Sequence, residues 1–176
     1  MREWIPVSTS PKGRLALAAV TAFGARPFDA VTVGELAQAA SVTTGALYHH
    51  FGSKLGLYAF VREDVERRLL DRMEGAISAT GDAADRTAGV RTALVVGFDF
   101  AVREGFLHIL GAPPAGARRD RLADVLSTHT DPVSPLLGLV LAAAWRAALI
   151  AVADGSEPQL ARAALLALDV AVPEAP

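Results

Sequence analysis

Thr43, Thr44, Gly45, Tyr48, His49 and Lys54 bring hydroxyls, a bare backbone, a phenol, an imidazole and an ammonium into one short stretch. Such groups hydrogen-bond phosphate oxygens and base edges, and a Thr methyl can touch a base edge as well. Bond-making chemistry has far less support. There is no Gly-rich phosphate loop, no HExxH pair and no strand-turn-helix nucleophile elbow. His49 and His50 are adjacent, so on a helix they point about 100° apart and do not share a metal. Together with His108 and His129 they are too scattered to make a site. The absence of Cys removes disulfide scaffolds, thiolate zinc sites, iron–sulfur clusters and thiol nucleophiles. No catalytic residue, metal or cofactor is expected, and an enzyme is not expected.

The elements that must position these groups are helices. The chain has 176 residues, 52% hydrophobic and 20% charged, which is too apolar for disorder and suits a packed domain. Ala, Leu, Arg and Glu dominate, and no segment sustains the period-two alternation of strands, so the fold class is all-α. Ser10 caps a first helix that carries Pro11 in its first turn and Leu15, Ala19, Val20 and Phe23 on one face, ending near Gly24. Thr32 caps a second, short helix through Val33, Leu36, Ala37 and Ala40. Ser41-Val42 breaks it, and Thr43 caps a third through His49. Ser53 caps a long fourth helix with a stripe at Leu57, Val61, Val65, Leu69, Met73 and Ile77, ending near Thr80-Gly81. One apolar helix is expected from Thr87 to about Leu110 and a short one from Arg118 to Leu126. A turn-rich bridge, Thr128 to Pro135, follows, and then helices over Leu136–Ala153 and Glu157–Val172.

Two short helices with a tight turn, small Ala37 where they cross, and Val42 and Leu47 filling the angle meet the demands of a helix-turn-helix. In that geometry the second helix enters the DNA major groove with its N-terminal residues facing the bases. These residues resemble the TetR-type bacterial transcription regulators. The resemblance runs from about Leu15 to Leu57, through Arg26-Pro-Phe28, Thr32-Val33, Leu36-Ala37, Ala40, Val42, Gly45-Ala-Leu-Tyr-His-His-Phe51 and Ser53-Lys54. Pro27 and Ser41 stand where that family usually has Gly; at the turn, Gly would accept a left-handed backbone without strain. The resemblance implies that Thr32 and Lys54, at helix N-termini, hold phosphates. It implies that Thr43, Thr44 and Gly45 lead the reading helix, and that Tyr48 and His49 reach phosphates or neighbouring bases. Phe51 reads as core, and His50 as either structural or DNA-facing.

Charge distribution agrees with this reading. Residues 1–62 hold six basic and three acidic residues, a net +3; the remainder holds 11 basic and 16 acidic, a net −5, giving −2 for the chain. The expected organisation is a helix-turn-helix DNA-binding domain over 1–56 and a helical effector-binding and dimerisation domain over 57–176. Phe98, Phe106 and Trp145 are candidate walls of a small-molecule pocket. Leu139, Ala142, Leu149, Leu165 and Leu168 are candidate dimer contacts, since the last two helices are more apolar than solvated helices can be. Between Leu136 and Ala153 only Arg146 is charged, over nearly the roughly 20 residues that span a bilayer. A central Arg costs about 2.5–3.5 kcal/mol there, and Ala and Gly contribute little, so a buried or dimer-forming helix is expected instead. The start, MREWIPVSTS, lacks a signal-peptide core. The function expected is a cytoplasmic, homodimeric, ligand-responsive regulator, a repressor as the resemblance implies, with double-stranded operator DNA and an unknown small-molecule effector as partners and no membrane. The rival is a helical small-molecule-binding or protein-docking module that does not read DNA.

Overall fold

A computed structural model describes residues 9–80, 86–114, 119–130 and 135–168. Every regular element among those residues is a helix, and none is a strand. The amino-terminal helices are α1 (Pro11–Ala25), α2 (Val33–Ala39) and α3 (Thr44–Phe51), with a 3-10 turn at Phe28–Ala30. The body comprises α4 (Lys54–Ala79), α5 (Arg86–Arg103), α6 (Leu107–Gly111), α7 (Arg121–Thr130), α8 (Pro135–Ala153) and α9 (Pro158–Leu166).

Local chemistry sets the amino-terminal boundaries. Ser10, Thr32, Thr43 and Ser53 have extended backbones, and each side chain accepts an amide of the helix that follows. The stripe on α4 is buried from Leu57 through Met73, with Ile77 half-buried at its end. This helix pairs mainly with α5 and also packs on α1. The division expected between residues 56 and 57 therefore falls inside one continuous helix.

The single helix expected from Thr87 to Leu110 is two. Gly105 adopts φ +72°, and the amide of Phe106 turns back to the carbonyl of Ala101 at 2.8 Å, a left-handed stop after which α6 leaves in a new direction. That turn is where α1 rests. A Cβ on Gly24 would stand 2.3 Å from the carbonyl oxygen of Gly105, so the backbones touch in a way that no side chain permits. Further on, α7 begins later and ends later than expected, taking Thr128–Thr130 from the expected bridge; residues 131–134 lie outside the described residues. The end expected for the last helix, Val172, also lies outside them.

The body's interior takes in most of the residues named as pocket walls and dimer contacts. Phe98, Phe106 and Trp145 are at most 4% exposed. The Trp145 indole donates to the carbonyl of Leu94 at 3.0 Å, and Phe106 meets Phe100 edge-on at 5.6 Å. They are packed into the core, where the largest apolar side chains gain most from leaving water. Ala142, Leu149 and Leu165 are likewise buried within their own chain, so they are not contacts for a second one. Leu139 is exposed and Leu168 half-buried. The Leu136–Ala153 window, of mean hydropathy 2.2, is long and apolar enough to cross a membrane, yet one face of α8 packs on α6 and α7. On that face Arg146 donates two hydrogen bonds to Asp120, at 2.6 and 2.8 Å. Burial works to raise the Asp120 carboxyl, but Arg146 and the Ala123 amide outweigh it and hold the group below its ordinary range.

Replacing Gly24 by Ala should push α1 off the α5–α6 turn and cost about 1–3 kcal/mol. At about 2–4 °C per kcal/mol for a chain of this size, the thermal midpoint falls by several degrees. A Gly24→Ala variant that melts with the wild type would contradict the contact.

Candidate nucleic-acid interface

The turn between α2 and α3 is held by backbone bonds, Ser41 to Gln38 at 3.0 Å and Val42 to Ala37 at 2.9 Å. Ser41 has φ +52° and is the sole non-glycine with positive φ among the described residues. A left-handed residue with a Cβ is strained by roughly 1–2 kcal/mol. Leu47 is fully buried, and Val42 packs against the core, so the inner side of α3 is anchored.

The outer side of α3 is open. Thr43, Thr44, Gly45, Tyr48 and His49 are all exposed, Tyr48 by 53%. The Thr43 side chain accepts the Ala46 amide at 3.3 Å, which caps the helix and leaves the hydroxyl's proton to be donated outward. At the other end Gly52, φ +73°, reverses the chain into α4. A Cβ on Gly56 would stand 2.1 Å from the Phe51 carbonyl, so the end of α3 sits directly on the first turn of α4. Sequence reasoning passed over Gly56; a glycine in the first turn of a long helix was the available signal. His50 is half-buried, its ring between those of His49 and Phe51.

Two of the expected phosphate groups are otherwise engaged. The Lys54 ammonium donates to the carbonyls of Phe28 at 3.0 Å and Val31 at 2.9 Å, and it lies 4.0 Å from the centroid of the Phe28 ring. It therefore staples the first turn of α4 to the connector between α1 and α2. The Thr32 hydroxyl donates to the Glu35 carboxylate at 2.9 Å and accepts the Glu35 amide at 3.2 Å, closing a reciprocal capping box. The Thr32 amide, the Thr32 hydroxyl and Arg26 together pull the Glu35 carboxyl from an ordinary 4.5 to about 2. The anion at the start of α2 is thus the chain's own. Arg14, which the sequence did not single out, donates from Nε to the Ala40 carbonyl at 2.9 Å and ties α1 to the end of α2.

What remains is a rigid, outward-facing set of donors on one helix: Thr43, Thr44, Tyr48 and His49, with Gly45 leaving the backbone bare between them. That arrangement suits close approach to a polyanion with readable edges. Comparison with known proteins agrees. Residues 16–60 match the family described as bacterial regulatory proteins, tetR family. The HTH-type transcriptional activator FasR of Mycolicibacterium smegmatis is 34% identical over 89 residues, which cover 51% of this chain and 39% of that protein.

Replacing Lys54 by Ala should free two carbonyls and cost about 1–3 kcal/mol of stability. A lost phosphate contact lowers the salt dependence of DNA affinity by about one, and this variant should change it far less. An unchanged melting midpoint with a slope smaller by about one would return Lys54 to the phosphates.

Proposed function

We propose that this chain, a tetR-family protein by its residues 16–60, binds a two-fold symmetric DNA site as a homodimer and regulates transcription in response to a small molecule. The observation that carries DNA reading is the outer face of α3, where Thr44, Gly45, Tyr48 and His49 are exposed above a fully buried Leu47. On a helix-turn-helix this face enters the major groove and the side chains near the helix start meet base edges. In this reading the phosphates are met by Thr43, Tyr48 and His49 and by the amides that open α4, while Thr32 and Lys54 hold the domain's shape.

Support for the homodimer comes from the opposite end of the molecule. Leu136, Leu139 and Val140 on α8 are 50–65% exposed, and Leu160 and Leu166 on α9 are 69% and 42% exposed. An apolar surface of this kind on two neighbouring helices is stabilised by a self-complementary partner, two helices from each copy forming a four-helix bundle. Leu139 stays in this interface and Leu168 lies near its edge; the buried Ala142, Leu149 and Leu165 form the floor beneath it. A dimer that reads DNA needs its two reading helices about one duplex turn, roughly 34–36 Å, apart. The relative's name is that of an activator, so the repression that the resemblance implies is not carried into this reading, whose claim is regulation by site occupancy.

Replacing Val140 by Glu should place a charge in the paired surface and give monomers in sedimentation without lowering the melting midpoint of the chain itself. Replacing Tyr48 by Ala should leave the dimer intact and cost about 1–3 kcal/mol of sequence-specific affinity, roughly 5- to 150-fold. An intact Val140→Glu dimer would move the interface. Wild-type affinity and preference in Tyr48→Ala would remove α3 from the groove.

A further inference from the structure

One surface of α4, from Leu55 to Glu66, walls a cleft of about 420 Å³ together with Pro114, Arg119 and Arg121. That volume lies within the roughly 300–1,000 Å³ of small-molecule sites. Leu55, Tyr58 and Pro114 give it an apolar side with one aromatic face, and Leu55 is 58% exposed. The cationic side is built differently from an ordinary surface ion pair. Arg62 spends its guanidinium on neutral acceptors: the carbonyls of Ala112 at 2.7 Å and Pro113 at 3.2 Å, and the Tyr58 hydroxyl at 3.1 Å. Its helical neighbour one turn on, Glu66, also lines the cleft, yet no ion pair joins them among the described residues. Arg121, across the cleft, forms no ion pair among the described residues either, whereas Arg119 is neutralised by Asp124 at 2.6 Å. Two guanidiniums that form no ion pair among the described residues therefore line one cleft beside Tyr58, with Glu63 and Glu66 lining it too. A ligand carboxylate, sulfonate or phosphate would replace neutral partners by charge-assisted bonds, which are about twice as strong.

We propose that this cleft binds a small amphipathic anion, its ring or chain against Leu55, Tyr58 and Pro114 and its acidic head on Arg62 and Arg121. The inference names the effector site of the proposed regulator, and for that purpose it rests on that reading. The head competes for the guanidinium that ties the end of α6 to α4. Because α6 also packs on α1, occupancy bears on how the amino-terminal helices are seated. Glu63 and Glu66, on the α4 wall beside Arg62, oppose a second negative group, so singly charged ligands are preferred.

The test uses the full chain and two fluorescent probes that differ only in a sulfonate: 1-anilinonaphthalene-8-sulfonate and its neutral parent, N-phenyl-1-naphthylamine. One sulfonate probe should bind per chain. Arg121→Ala, whose side chain supports nothing else described, should weaken the sulfonate probe by about tenfold and the neutral one by less than about twofold. Arg62→Ala should do the same, and Glu66→Gln should tighten the sulfonate probe. Equal affinity for the sulfonate probe in wild type, Arg121→Ala and Arg62→Ala would overturn the site. So would loss of the probe in Val140→Glu, which would mean that it sits on the exposed face of α8. DNA selection by ligand-free protein separates the two ideas. Selection without probe binding ends the cleft and leaves the regulator standing, and probe binding without selection ends the regulator and leaves the cleft.

Discussion

Backbone contact between Gly24 and Gly105 sets how the amino-terminal helices sit on the rest of the molecule. Gly24 has to be glycine because the Gly105 carbonyl occupies the place of its Cβ, and Gly105 itself takes a left-handed conformation that favours glycine. The turn that ends α5 thereby becomes a seat for the end of α1. Once α1 is seated, Phe23 reaches Phe28 and Tyr58, with ring centroids 5.8 and 5.0 Å away, and this aromatic group joins α1, the 3-10 turn and α4. The Lys54 ammonium fastens the same corner by donating to two carbonyls of the connector, those of Phe28 and Val31. The outward face of α3 stands on this packed corner, with Leu47 fully buried beneath it.

The same chain of contacts joins the two ends of the molecule. Between the exposed donors of α3 and the exposed apolar face of α8 and α9 lie α4, shared by both parts, and α6, which touches α1 on one side and α8 on the other. A change in the seat of α6 is carried to α1 through backbone contact, without a compliant side chain in between. Packed interiors pass such displacements on because they are dense and have few alternative arrangements. Arg62, which binds the last carbonyls around α6 from α4, is placed to hold or release that seat.

How much of this the sequence discloses depends on the range of the interaction. The four caps at Ser10, Thr32, Thr43 and Ser53 and the strain at Ser41 are legible because each arises within about four residues. The α4 stripe is legible because its polar face is unambiguous. The break at Gly105 is not, since Val102 and Phe106 keep helical spacing across it and the seat on Gly24 is 81 residues away. The orientation of α8 is not legible either. That helix is apolar on all sides, so spacing could not tell Leu149, fully buried, from Leu139, half exposed. Phe98, Phe106 and Trp145 suit pocket walls by residue type, but the largest apolar groups are also those that folding buries, and residue type alone does not separate the two. Lys54 shows the same limit in reverse. A cation at a helix start suggests phosphate, and only the fold shows two carbonyls brought to meet it.

The central claim is that two copies present α3 to DNA as a two-fold pair. Its most direct test is to incubate the purified chain with genomic fragments at roughly physiological salt and excess nonspecific competitor, then sequence what is retained. Enrichment of one short palindrome with half-sites about one helical turn apart is the predicted result. A folded, dimeric protein that enriches no sequence, or enriches a single half-site without symmetry, would contradict the account.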